Sequence, residues 1–150
     1  MNADTSQSAE LASAVNRLVP YVHVADVEAS LAFYGLLGFA AQNVMKDGRG
    51  RAFWALAQSS EAEIMLARAD GPIDAGQQAV ILYMYSADVS ALRRHLVAGG
   101  VRDSGAYSGA SSPSDGPGTI FDVAHPHHMP AGEVRIIDPD GYVILVGQLD

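Results

Sequence analysis

An internal repeat constrains the fold of this chain more than any other feature of its sequence. Ala25-Asp26-Val27 is followed by Ala29 and Gly38, and the same residue types recur at positions 87, 88, 89, 91 and 100. All five identities share one offset of 62 positions, and each Asp precedes its Gly by twelve residues. A repeat at a constant offset indicates two copies of one supersecondary unit that pack together.

Each copy begins with the pattern of a strand followed by a capped helix. Val22 and Val24 alternate with Tyr21 and His23, which is typical of a strand with one aliphatic face. Asp26 is a favourable helix N-cap, and apolar residues at helical spacing follow it as far as Gly38. The same order of elements is predicted in the second copy, with a strand over 80–85, an N-cap at Asp88 and a helix that ends at Gly99-Gly100.

Three further strands are predicted in each half. They cover 39–45, 52–58 and 63–68 in the first half, and 119–123, 133–137 and 142–148 in the second. We therefore expect an α+β fold with a flexible N-terminal extension over 1–16 and a single domain over 17–150. Module one would span 17–70 and module two 78–148. The segment 104–118 is rich in Ser, Gly and Pro, which predicts a functional or mobile loop.

Composition excludes several classes of function. With 150 residues, nine Lys and Arg and a net charge of −8, the chain is expected to repel nucleic acid and anionic membranes. It has no cysteine, so thiol catalysis, disulfides and zinc–thiolate sites are excluded. No apolar run approaches the roughly 20 residues of a membrane span, and the N-terminus lacks the pattern of a signal peptide, so we expect a cytoplasmic protein.

Four motifs resemble the vicinal oxygen chelate superfamily, which includes glyoxalases, bleomycin-resistance proteins and dioxygenases. The motifs are Ala-Asp-Val-Glu-Ala-Ser-Leu-Ala-Phe-Tyr (25–34), Leu-Gly-Phe (37–39), Met-Pro-Ala-Gly-Glu (129–133) and Asp-Pro-Asp-Gly-Tyr (138–142). The resemblance implies two βαβββ modules that form a curled mixed-sheet cup with helices outside and a site in the concavity. Similarity to the metal-free, bleomycin-resistance-like members further implies a homodimer.

The resemblance also identifies where metal-dependent members hold their ion. Carried over to this sequence, the ligand positions are Val19, Met65, Ile81 and Leu145, all of them apolar. Aliphatic side chains offer no imidazole or carboxylate donor to a divalent cation. We therefore predict no metal at these positions and no cofactor.

The leading prediction is metal-independent binding of a small, partly aromatic organic molecule, for sequestration or carriage as in antibiotic resistance. Trp54 and Phe53 are adjacent in a strand, so one of them is expected to face inward and the other outward. The ligand-binding residues predicted from strand alternation and the resemblance are Tyr21, His23, Trp54, Met65, Tyr83, Tyr85, His128 and Leu145.

Two alternatives remain open from the sequence. One is a lyase, isomerase or dioxygenase that uses a relocated metal site built from His23, Glu133 or the segment His125–His128. Pro126 and the adjacency of His127 and His128 make convergence of that segment on one ion difficult, and Glu133 is favoured as a structural residue. The other alternative is a structural or regulatory dimer without a ligand.

Overall fold

The structure is a computed structural model and describes residues 12–109 and 116–149. Its elements follow the predicted repeat. The first half contains β1 (Tyr21–Val24), α1 (Val27–Leu36), β2 (Ala40–Lys46), β3 (Ala52–Ser59) and β4 (Ala62–Arg68). After a short 3-10 turn (Ala75–Gln77), the second half contains β5 (Ile81–Ser86), α2 (Val89–Ala98), β6 (Arg102–Asp103), β7 (Thr119–Ile120), β8 (Glu133–Ile137) and β9 (Val143–Gln148).

Both helices begin at the predicted caps. The Asp26 carboxylate accepts a hydrogen bond from the Ala29 amide at 3.0 Å, and the Asp88 carboxylate accepts one from the Ala91 amide at 3.0 Å. These bonds satisfy amides that have no partner within the first helical turn. Gly38 and Gly100 follow the two helices with φ of 97° and 102°, a backbone conformation that glycine adopts without strain.

Each half forms its own mixed sheet. The first sheet has the strand order β1-β4-β3-β2, and the second has the order β5-β9-β8-β7-β6. In both sheets the first strand pairs in parallel with the last strand of its module, as Tyr21 with Met65 and Tyr83 with Leu145. The prediction of an α+β fold with two βαβββ modules is confirmed, with the two-residue strand β6 as an addition that the sequence did not indicate.

One face of each sheet, here called the back face, carries its helix. Val22, Leu66 and Ala55 lie on the back face of the first sheet, and Ile144 and Val134 lie on that of the second. Residues of both back faces belong to one continuous core cluster. The opposite faces, here called the front faces, are where the exposed aromatic residues of β1 and β5 lie. None of the described helices has the length and apolar character needed to cross a bilayer.

The last turn of the chain ties the second module to the first helix. Asp140 accepts hydrogen bonds from the Ala25 amide at 2.9 Å and from the Ser30 hydroxyl at 3.4 Å. The Tyr34 hydroxyl donates to Asp138 at 2.7 Å, and the Tyr142 hydroxyl donates to the backbone carbonyl of His23 at 2.9 Å. This buried polar network fixes the position of β1 and α1 relative to the second sheet.

Candidate functional site: two aromatic sheet faces

The front face of the first sheet holds an open aromatic pocket. Tyr21, His23 and Trp54 line a pocket of about 560 Å³ together with Met45 and Phe53. The rings of Tyr21 and His23 meet edge to face with their centroids 5.6 Å apart. Charged groups line the pocket beside these rings, because Arg68 and Asp70 also belong to its walls. A volume of this size can hold a small organic molecule.

The positions of Phe53 and Trp54 differ from the prediction that they face opposite ways. The register between β2 and β3 shifts at this point, because Met45 pairs with Trp54 but Lys46 pairs with Ala52. Such a β-bulge breaks strict alternation of side chains along the strand. Both Phe53 and Trp54 therefore line the same pocket, which has one more aromatic wall than alternation predicts.

Met65 extends this surface along β4. It pairs in register with Tyr21 on one side and with Leu56 on the other, and it is half-buried. Arg68 closes the other end of the pocket, where it forms an ion pair with Asp47 at 3.1 Å. The Asp47 carboxylate also accepts hydrogen bonds from the amides of Arg51 and Arg49, and these bonds hold its pKa below the ordinary value.

The front face of the second sheet carries the remaining predicted residues. Tyr83 and Tyr85 have ring centroids 5.3 Å apart, and both line a second pocket of about 560 Å³ that differs from the one beside Trp54. Leu145 is the register partner of Tyr83 on β9. The predicted ligand-binding residues thus form two groups, one on each front face.

A carboxylate lies at the centre of the polar contacts on the second face. One oxygen of Glu133 accepts a hydrogen bond from the Tyr83 hydroxyl at 2.5 Å and lies 3.0 Å from Nε2 of His128. Withdrawal of the tyrosine from water and its hydrogen bond to Glu133 raise the pKa of Tyr83 to about 12. The Glu133 side chain is 13% exposed and that of His128 is 65% exposed, so the pair presents a histidine edge to solvent.

Gly147 makes room for this arrangement. A Cβ atom at this position would lie 2.7 Å from Cε of Met129 and 2.9 Å from the Tyr83 hydroxyl. The absence of a side chain on β9 therefore allows Tyr83 to reach Glu133. The sequence indicated Tyr83, Glu133 and His128 separately, but their contact depends on the pairing of β8 with β9.

The described residues do not assemble the relocated metal site that was the alternative prediction. His125 directs Nδ1 to the backbone carbonyl of Pro130 at 3.0 Å, whereas His128 contacts Glu133. His23 lies on the other sheet. Within residues 12–109 and 116–149, no group of three or more His, Asp or Glu side chains is placed to hold an ion.

The positions where the superfamily implies metal ligands do not fit a divalent cation either. Met65 and Leu145 are half-buried on the last strands of the two sheets. Ile81 lies at the start of β5 with 50% of its surface exposed, and Val19 precedes β1. None of these side chains supplies the nitrogen or carboxylate oxygen that such an ion requires.

The structure also reveals an aromatic and cationic group that the sequence analysis missed. Arg135, on the front face of β8, places its guanidinium carbon 4.1 Å from the centroid of the Tyr107 ring. Tyr107 in turn packs edge to face on Phe121, with centroids 5.2 Å apart. Tyr107 belongs to the predicted loop 104–118, of which residues 110–115 lie outside the described part of the chain. No local pattern in the sequence predicts this contact, because Tyr107 and Arg135 meet only where the loop passes over the sheet.

Two repeated βαβββ modules, each with exposed aromatic side chains on its front face, define an α+β protein of two paired modules. A family model described as the Glyoxalase/Bleomycin resistance protein/Dioxygenase superfamily matches residues 14–146. The chain therefore belongs to this superfamily. Comparison with curated protein sequences finds no match.

Solved structures with the same fold include bleomycin-binding proteins and a bleomycin resistance determinant. A bleomycin-binding protein complexed with bleomycin aligns with a TM-score of 0.66 at 18% identity, over 91% of this chain and 100% of the other. A bleomycin resistance determinant encoded on the transposon Tn5 aligns with a TM-score of 0.65 at 18% identity, over 91% and 99%. A bleomycin-binding protein from Streptomyces verticillus complexed with copper(II)-bleomycin gives 0.64 at 17%, over 91% and 99%. At these identities the similarity shows the fold.

Proposed function

We propose that this protein binds a small, partly aromatic organic molecule without a metal ion, in order to sequester or carry it in the cytoplasm. The observation that carries the proposal is the open pocket of about 560 Å³ beside Tyr21, His23, Phe53 and Trp54. Four aromatic side chains around one pocket provide large, rigid contact surfaces for a planar ligand. The aliphatic residues at the superfamily's metal positions support binding without a metal.

The structural neighbours support the same class of function. Two of the solved proteins with this fold are named as bleomycin-binding and were solved with bleomycin or its copper(II) complex. We therefore propose that the present chain also binds an antibiotic-like molecule. In this proposal Trp54, Tyr21, Tyr83 and Tyr85 stack on the ligand, and His23 and His128 supply polar contacts. Met65 and Leu145 form apolar walls.

We further propose that a second copy of the chain completes the cup. Large apolar side chains are exposed on the front of both sheets: Tyr21 (53%), Met45 (48%) and Phe53 (37%) on the first, and Ile81 (50%) and Tyr85 (59%) on the second. Apolar surface of this extent is usually covered by a ligand or a partner. A twofold dimer would cover this surface in two equivalent cups. In each cup, the front face of one sheet from the first copy would lie opposite a front face from the second copy.

Fluorescence of Trp54 tests ligand binding directly, because it is the only tryptophan in the chain. Titration with a panel of planar organic molecules should shift its emission, and His23→Ala should weaken that binding. His127→Ala is the matched control, since His127 is an exposed histidine outside the pocket. A chelator should leave the titration unchanged.

Four results would count against the proposal. If no compound perturbs Trp54, or if His127→Ala weakens binding as much as His23→Ala, the pocket beside Trp54 does not hold the ligand. If a chelator abolishes binding and elemental analysis of untagged protein finds stoichiometric metal, an enzyme with a metal site is favoured instead. If sedimentation shows a monomer at all concentrations, the completed cup does not form.

A further inference from the structure

Arg135, on the second front face, differs from the other half-buried arginines of the described chain in having no acidic partner among the described residues. Three arginines are half-buried there, at positions 68, 93 and 135. Arg68 forms an ion pair with Asp47, and Arg93 forms ion pairs with Asp103 at 2.5 Å and Asp122 at 3.1 Å. Among the described residues, no carboxylate lies within ion-pair distance of Arg135 and no acceptor receives a hydrogen bond from it.

The nearest acidic residue on the same strand face is committed elsewhere. Glu133 lies two positions before Arg135 on β8, so both side chains are on the front face. Its carboxylate contacts Tyr83 and His128 instead of the guanidinium. The chain has a net charge of −8, so acidic residues outnumber basic ones. A partly buried arginine that pairs with no described carboxylate is therefore unusual in this protein.

The surroundings of Arg135 hold its guanidinium in one orientation. One face of the group lies on the Tyr107 ring, which is itself supported by Phe121. Across the sheet, Leu145 is the register partner of Arg135. Cation–π stacking uses the plane of a guanidinium and leaves its N–H edge available for an acceptor.

We propose that Arg135 is the anchor for an anionic group of the ligand. This inference rests on the proposed binding function and narrows its ligand to an organic anion: a carboxylate, sulfonate or phosphate carried on an aromatic or amphipathic body. The anionic group meets the donor edge of Arg135, where two parallel hydrogen bonds can form. The apolar body lies against Leu145 and the neighbouring tyrosines of β5.

Two fluorescent probes with the same aromatic body separate this inference from the general binding function. 1-Anilinonaphthalene-8-sulfonate carries a sulfonate, and N-phenyl-1-naphthylamine is its neutral counterpart. The wild-type protein should bind the sulfonate probe more tightly, by on the order of tenfold, because a hydrogen bond to a charged group contributes about that much. High salt should weaken the sulfonate probe and leave the neutral probe unchanged.

The variant Arg135→Gln should abolish the preference for the sulfonate probe while retaining the affinity for the neutral one. Arg94→Gln is the matched control, because Arg94 is an exposed arginine on the helix α2. Binding of both probes with equal affinity in the wild type, or a preference that survives in Arg135→Gln, would overturn the inference and leave the proposed function intact. If neither probe binds the wild type, both the inference about Arg135 and the proposed binding function are overturned.

Discussion

Replacement of Asp138 by Asn should change how the stability of this protein depends on pH. Asp138 is completely buried, and its carboxylate accepts hydrogen bonds from the Tyr34 hydroxyl at 2.7 Å and from the amides of Asp140 and Tyr142 at 2.9 Å each. Burial raises the pKa of Asp138 from 3.8 to about 6, and it outweighs the hydrogen bonds from Tyr34 and Tyr142, which lower this pKa.

The direction of the effect follows from the raised pKa. The folded protein binds this proton more tightly than the unfolded chain, so the stabilisation is fully present below pH 3.8 and is lost as pH rises to about 6. The full difference corresponds to ~3 kcal/mol in the free energy of unfolding, of which about 2 kcal/mol is lost between pH 4.5 and 7. Asn cannot ionise, and its amide can still accept from the two backbone amides while it donates to the Tyr34 oxygen.

Urea unfolding at pH 4.5 and pH 7, followed by circular dichroism, measures this contribution. The stability of Asp138→Asn relative to the wild type should increase by about 2 kcal/mol between the two pH values. Asp74→Asn is the control, because Asp74 is exposed in the segment between the modules. If the difference between Asp138→Asn and the wild type is the same at both pH values, Asp138 ionises normally and burial does not determine its pKa.

Three further substitutions test the local structure. Asp26→Ala and Asp88→Ala each remove a helix cap, and each should lower the free energy of unfolding by about 1 kcal/mol in urea titrations, whereas the matching Ser variants should retain most of it. Gly141→Ala should cost more than either cap variant, because Gly141 has a φ of 89° and a new Cβ would lie 2.6 Å from the backbone of Ala75. A melting temperature of Gly141→Ala within one degree of the wild type would contradict that strain.

Much of the fold could be predicted because its signals are local in the sequence. The alternation around His23, the capping Asp residues and the helix-ending glycines each specify an element through neighbours a few residues away. Ser60 has a φ of 53° between β3 and β4, at the predicted hairpin. The predicted strand 119–123 forms only as Thr119–Ile120. The chain continues beside β8 after it, because Phe121 forms a backbone hydrogen bond with Arg135 and Ala124 forms two with Glu133.

The candidate site could be predicted only in part, since its contacts are made across strands. Alternation placed Tyr21 and Tyr83 on exposed faces correctly, but it failed for Phe53 because the bulge on β3 breaks the two-residue period. The stacking of Arg135 on Tyr107 joins residues whose proximity depends on the path of a loop. A single sequence contains no local signal for such a contact.

The hydrogen bonds of the last turn show that the two halves of the chain are no longer interchangeable. Asp138 and Asp140 serve α1, whose Tyr34 and Ser30 contact them. At the repeat offset of 62, α2 carries Leu96 in place of that tyrosine, and the corresponding turn of the first module is Ser60-Glu61. A chimera that duplicated the second module would therefore bury two carboxylates opposite a leucine, and one that duplicated the first would leave a buried tyrosine hydroxyl without its acceptor. Each half is specific for the other, so the repeat visible in the sequence is kept in the backbone and not in the polar interior.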